Sequence, residues 1–316
     1  MRKFNLSDVL SLIKGAYQIR GRTDGIYFTN IKPVLEAEKD SLVFVSADRT
    51  DKMDLIRQTR AQVVICDITI VPAEDLLESK CLIQVEDPKL VFARIGNALF
   101  KELPSYGTHP TAVIHPEAKV HKNTYIGPFT YIGKCIIGEG TIIYGHAYLY
   151  DNTNIGKNVI IHAGCVLGSD GLGHVRNENE EYEQFPHIGG VIIEDDVEIC
   201  GNTCVERGAL GNTIIRKGAK IDNLVLVGHN VVVGSHTGIA ANTMIAGSTI
   251  IGDYSWIAPC CDIRDYIKIG SHVFIGLGST VTKDVPDAET WVGSPAQPLS
   301  KFILREKKLK EIMEDM

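Results

Sequence analysis

Four kinds of signal are missing from this chain. Its eight cysteines, at 66, 81, 135, 165, 200, 204, 260 and 261, contain no CxxC pair and no zinc-type Cys/His pattern. No metal is therefore expected, and the cysteines, Cys200 and Cys204 included, read as small buried residues of a reducing compartment. There is no excess of positive charge either. Thirty-two Lys and Arg against thirty-nine Asp and Glu leave a net charge of −7, which argues against nucleic acid as a partner, because phosphate binding needs concentrated cations. Long apolar runs are absent as well: no uninterrupted segment reaches spanning length. The opening residues Met1 to Asp8 turn polar too soon for a signal-peptide core. The expectation is a cytoplasmic protein with no stable membrane insertion. P-loop, GxSxG and dinucleotide fingerprints are missing too, and Gly171-Leu172-Gly173 in a polar loop does not make one.

What is present is a repeat. Every sixth residue from Ile215 to Val281 is Ile or Val. The same hexads, with one residue lost after Ile132, run from Ile114 to Leu167, and Gly often follows the aliphatic, as in Ile126-Gly127 and Ile155-Gly156. Small Val, Thr, Ser or Cys residues commonly stand four places after it, suited to stacking inward. A short fixed period in a chain with thirty glycines implies a mainly β solenoid, a parallel β-helix whose hexads form flat faces. The phase breaks between Gly168 and Gly190, so residues 168–190 read as a loop ejected from the helix, where binding residues tend to gather. It slips again between Glu206 and Ile214.

The helix is expected over 111–286. Residues 1–101 carry no six-residue period and read as a small α/β domain, with strands at Ala16 to Arg20, Ile26 to Thr29, Ser41 to Ser46, Gln62 to Cys66 and Cys81 to Val85. Helices are expected after Ser7 as cap, after Asp51, and after Asp87-Pro88. Residues 299–316 form an amphipathic Lys/Glu-rich helix. A domain at one end and a helix at the other would cover the strand edges of an open solenoid.

If three hexads make one coil, residues eighteen apart stack about 4.8 Å from each other. That places Gly247 one coil after His229 and Gly211 one coil before it. The imidazole is then flanked by positions without side chains, which leaves room for a substrate atom. It also leaves the N–H of Gly247 available to an acyl oxyanion. Imidazole titrates near neutrality and suits a general base. Asp222 and Asn223, close in sequence, are candidates to orient the ring or an acceptor. His146, His162, His236 and His272 read as corner or surface residues. His229 and His236 are seven apart, which is no stacking distance, so a three-histidine zinc centre is not expected.

Several segments together resemble a known family: Gly168 to Gly173, Phe185 to Ile193, Val205 to Leu210, and Ile221-Asp222-Asn223 through Gly228-His229-Asn230. They are similar to the left-handed parallel β-helix acyltransferases, specifically to UDP-3-O-(3-hydroxyacyl)glucosamine N-acyltransferase of lipid A biosynthesis. The N-terminal order, Ser41 to Val45 and Ala61 to Ile65, is similar too. The resemblance implies a homotrimer with sites between adjacent helices. It also implies an acyl-carrier-protein thioester as donor, a nucleotide-sugar acceptor and no bound cofactor. By position, His229 would be the general base, Gly247 the oxyanion donor and Asn223 a substrate contact; Phe44 would be one wall of a uracil pocket. Tyr266 stands where the family carries a second histidine, and residues 47–51 offer no tyrosine to face Phe44. The ending from Thr282 to Pro298 is closer to acetyl-CoA-dependent hexapeptide acetyltransferases. The alternatives are accordingly an acetyl-CoA-dependent N-acetyltransferase of a nucleotide-linked amino sugar for surface polysaccharide, and a non-catalytic trimeric scaffold or binding module.

Overall fold

The computed structural model describes residues 2–314, so the outermost positions of the expected terminal segments, residue 1 and residues 315–316, lie outside the described residues. The chain separates into two compact units, Met1–Leu103 and Pro104–Met316.

The first unit is built on a five-stranded sheet. Tyr17–Gly21 pairs antiparallel with Cys81–Val85, and Val63–Asp67, Ser41–Phe44 and Asn30–Ile31 continue it in parallel. Strand alternation sends Leu42, Val63, Ile65 and Ile83 into one apolar cluster and Val43, Val64, Cys66 and Leu82 into another, so both faces are covered. The first helix spans Leu6–Leu10 and its cap is Asn5, not Ser7. The Asn5 side chain accepts from the N–H groups of Ser7 and Asp8, and the Asp8 carboxylate accepts from the Asn5 N–H, a reciprocal capping box. Lys52–Gln58 and Pro88–Leu99 are helical as expected, the latter with Asp87 capping the Leu90 N–H. A short helix at Glu74–Leu77 had no clear periodic signal.

The second unit is a parallel β-helix, the expected mainly β class. Three sheets of eight, eleven and nine strands run along it, and each coil contributes one short strand to each. All aliphatics of the run from Ile215 to Val281 are at most 1% exposed. The small residues four places after them point inward too. The Thr237, Thr243 and Thr249 hydroxyls donate to the carbonyls of Gly252, Ala258 and Arg264 at 2.7, 3.2 and 2.9 Å, so corner carbonyls turned into the core find partners. Pairing extends past the expected limits on both sides. Gly107–Thr108 already pairs with Tyr125–Ile126, and Thr290–Val292 pairs with Phe274–Ile275, burying Trp291 beyond Pro286.

From Leu224 to His272 the corners turn at non-glycine residues. Leu224, Asn230, His236, Asn242, Ser248, Tyr254, Cys260, Tyr266 and His272 follow one another every six residues with φ between 55° and 61°. The glycines that follow the aliphatics have a different reason to be there. A Cβ on Gly252 would stand 2.5 Å from the carbonyl carbon of Gly270, and one on Gly127 2.5 Å from the amide nitrogen of Gly145. Those positions are closed by the backbone of the neighbouring coil, not by turn conformation. His236 and His272 are corner residues as expected, and their rings stack on Tyr254 at 5.3 and 5.2 Å. The C-terminal helix, Leu299–Glu314, lays Phe302 against Gly293 and keeps no side chain fully buried.

Candidate active site

Coil length decides what surrounds His229. Leu226 pairs with Met244 and Val227 with Ile245, so Gly247 is stacked on His229 as expected. A Cβ at 247 would come within 2.6 Å of both Cε1 and Nε2 of the imidazole. The position on the other side is not Gly211. Val227 pairs with Val205, an offset of 22 residues shared by the pairing of Gly190 with Asn212. The four extra residues bulge out after Arg207, and Gly211 is carried away from the ring into contact with Asn230 and Gly208.

Glu206, His187 and Gly171 occupy that side instead. The Glu206 carboxylate accepts the backbone N–H of His229 at 3.0 Å. Burial pushes its carboxyl above the ordinary range, opposed by that hydrogen bond and by the nearby imidazoles of His229 and His187. His187, 7% exposed, stands edge-on to His229 with ring centroids 5.5 Å apart. Its Nδ1 meets the Phe185 carbonyl at 3.0 Å, while its buried Nε2 has no partner among the described residues. His187 and Gly171 come close because the ejected loop folds back. Gly171 packs on Glu206 and on His229, and Gly173 on His187, so that a Cβ at either position would press on those side chains. Beyond these glycines the loop forms a small antiparallel hairpin, His174–Arg176 with Tyr182–Gln184, and exposes Leu172 and Tyr182.

The ring is oriented by Asn230. Asn230 Oδ1 lies 3.1 Å from His229 Nδ1 and also accepts the Ala209 N–H at 2.9 Å, while the Asn230 N–H is fixed on Thr213 Oγ1. An oxygen already used as acceptor assigns the proton of the neutral ring to Nδ1 and leaves the Nε2 lone pair free on the side of Gly247. Asp222 and Asn223, expected to help here, follow Ile221 on the eleven-stranded sheet, whereas His229 follows Val227 on the nine-stranded one. They stand at the neighbouring corner, where Asp222 Oδ1 accepts from the backbone and side-chain nitrogens of Asn223. Tyr266 is a corner residue 77% exposed, and its N–H donates to the carbonyl of Gly247. Asn230, Glu206 and His187 went unassigned in the sequence. The break in hexad phase from 168 to 190 was the available sign that chain returns to this coil.

Phe44 belongs to the N-terminal unit. It lines an open cleft of about 410 Å³ with Val34, Leu35, Ser46, Asp48, Arg49 and Lys89. Phe92 packs against it with ring centroids 4.7 Å apart, so the aromatic neighbour comes from the helix Pro88–Leu99 and not from residues 47–51.

Residues 134–169 match the family model "Bacterial transferase hexapeptide (six repeats)". A UDP-3-O-acylglucosamine N-acyltransferase from Coxiella burnetii (strain RSA 493 / Nine Mile phase I) is 36% identical over 257 residues, which is 74% of this chain and 67% of that protein. The chain belongs to the UDP-3-O-acylglucosamine N-acyltransferase family. A second member, from Methylobacterium nodulans, is 39% identical over 158 residues, 50% of this chain and 45% of its own. Among solved structures, a UDP-N-acetylglucosamine acyltransferase from Bacteroides fragilis 9343 superimposes with a TM-score of 0.54 at 27% identity, covering 63% of this chain and 77% of that one. Like these named relatives, the chain is an acyltransferase. No helix among the described residues is long and apolar enough to cross a membrane.

Proposed function

We propose that the protein is a cytoplasmic N-acyltransferase that moves an acyl group from a thioester, carried by acyl carrier protein, to the amine of a nucleotide-linked amino sugar such as UDP-3-O-acylglucosamine. It works as a homotrimer with no bound cofactor. The observation that carries this reading is the His229 imidazole, held by Asn230 with Nε2 on the side of a glycine where a Cβ would clash. In the reaction the sugar amine attacks the thioester carbonyl while His229 Nε2 takes its proton. The N–H of Gly247 holds the tetrahedral oxyanion, and the intermediate collapses as the thiolate leaves and collects that proton. Asn223 and Asp222, one corner away, contact substrate. In the unit spanning residues 1–101, Phe44 forms a wall of the nucleotide-base site, beside the Arg49 and Lys89 side chains that line the same cleft.

The test is a donor and acceptor panel: acetyl-CoA and short- and long-chain acyl-carrier-protein thioesters, each against UDP- and dTDP-linked amino sugars. Long-chain transfer to a UDP-linked acceptor supports the reading. Preference for acetyl-CoA would replace it with a surface-sugar N-acetyltransferase, and no transfer to any acceptor would leave the scaffold alternative.

A further inference from the structure

A second cluster of reactive side chains lies on the eleven-stranded sheet, away from His229. The pairing of Ile143 with Ile161, Ile161 with Ile199 and Ile199 with Ile221 stacks the residues that follow them into a ladder of Tyr144, His162, Cys200 and Asp222 on successive coils. Glu198, two places before Cys200, reaches the His162 ring, its Oε1 3.0 Å from Nε2. One ligand atom from each of His162, Glu198 and Cys200 lies within 4.8 Å of the other two, and all three residues are half-buried. Tyr144 stacks on the imidazole at 5.3 Å and closes one end of the ladder. Lys220 is held elsewhere by the Asp196 carbonyl at 2.8 Å and approaches Glu198 only to 3.9 Å.

From this geometry we propose that His162, Glu198 and Cys200 bind a divalent cation of the zinc class, with the fourth position open to water. A nitrogen, a sulfur and an oxygen donor form a set that zinc accepts in tetrahedral geometry. With Zn–N near 2.0 Å and Zn–S near 2.3 Å, donors around such an ion stand roughly 3–4 Å apart, so the cluster closes on it by side-chain rotation. The electrostatics agree. The carboxylates of Glu198 and Asp222 bring negative charge to the cluster, and a dication bound there would deprotonate the Cys200 thiol. His162 precedes the ejected loop and Glu198 and Cys200 follow it. The ion would therefore staple the two coils between which the loop leaves.

The experiment uses the untagged full chain loaded with Zn²⁺ and dialysed, with metal counted per chain, and the same chain titrated with Co²⁺. Expected are about one equivalent of zinc, a thiolate-to-cobalt charge-transfer band, and a melting temperature raised by the metal. In Cys200→Ser the band should disappear and zinc affinity should fall roughly 10-fold or more. In His162→Gln affinity should fall as far, and circular dichroism confirms folding of both variants. Asp222 is left unchanged because the proposed reaction uses it. A wild-type chain that retains no zinc overturns the proposal. So does a Cys200→Ser protein that keeps the cobalt band, since the thiolate would then be another cysteine.

Discussion

The coils from Ile215 to Val281 and those between Ile155 and Val227 share one sheet architecture and differ in regularity. From Ile215 on, pairing partners are eighteen residues apart at every step, and beyond Gly247 the side chains between corners do little but pack. In the second set the offset rises to 38 where Thr153 pairs with Val191, then to 22 where Gly190 pairs with Asn212. Each departure sends extra chain out of the prism, and both returns meet at His229. The loop brings Gly171, Gly173 and His187; the bulge brings the Ala209 N–H that fixes Asn230. Regular coils supply a rigid register, and chemistry collects where that register is interrupted.

That contrast can be broken by mutation. The largest expected effect is on turnover: His229→Ala should lower kcat by about 10²–10⁴-fold while leaving the melting temperature close to wild type, because the ring is half-buried and carries no core contact. Near-normal turnover would remove His229 from the reaction. Next comes a regular coil, where Ile263→Ala empties a fully buried site and should cost about 2–5 kcal/mol in chemical denaturation, with kcat per folded chain unchanged. A large kcat effect there would mean that the regular coils are not passive.

Two glycine substitutions sharpen the comparison at smaller amplitude. Gly252→Ala sets a methyl against the backbone of the next coil and should destabilise by about 1–3 kcal/mol without touching kcat. Gly171→Ala sets one against Glu206 and His229, where the neighbours are side chains and a mobile-ended carboxylate can yield. Its expected cost is about 10-fold in kcat through displacement of the imidazole, with little change in melting. If the two variants behaved alike, the division between packing coils and reactive coils would fail.

The same division explains what could be read from the chain alone. Six-residue periodicity in buried aliphatics is a local signal, so the solenoid, its inward small residues and the stacking of Gly247 on His229 were all legible. So were four of the five strands of the N-terminal sheet; the fifth, Asn30–Ile31, was not, and Tyr27–Phe28, within the run expected at Ile26 to Thr29, pairs instead with Phe4–Asn5. Gly211 was misplaced because an eighteen-residue coil was carried through a stretch where the true coil has 22, and only the pairing of Val205 with Val227 reveals the insertion. Asn230 was hidden by its ordinary look, an asparagine in a left-handed corner like Asn202 and Asn242. The cluster at His162 was hidden by distance: His162 and Glu198 are 36 residues apart, and the loop between them removes any familiar ligand spacing. Phe92 emerged as the partner of Phe44 only when helix and strand were placed together.

The smallest expected effect tests the interrupted coils from the side of Glu206. Burial is the leading cause of its raised carboxyl, so the native protein takes up a proton at a higher pH than the unfolded chain, whose ordinary value is 4.5. Stability from this group is then fully present below pH 4.5 and is lost as pH rises through the raised native value. Glu206→Gln keeps an acceptor for the His229 N–H and removes the titration. The melting temperature of wild type relative to the variant should therefore be highest in acid, decline as pH rises through the window above 4.5, and level off beyond it. The opposite slope, with wild type gaining on the variant as pH rises, would mean that positive charge on His229 and His187 outweighs burial. The two rings and the carboxylate would then form an ion cluster in the native state, and the approach of the loop to His229 would be held by charge instead of by the close fit of Gly171 and Gly173.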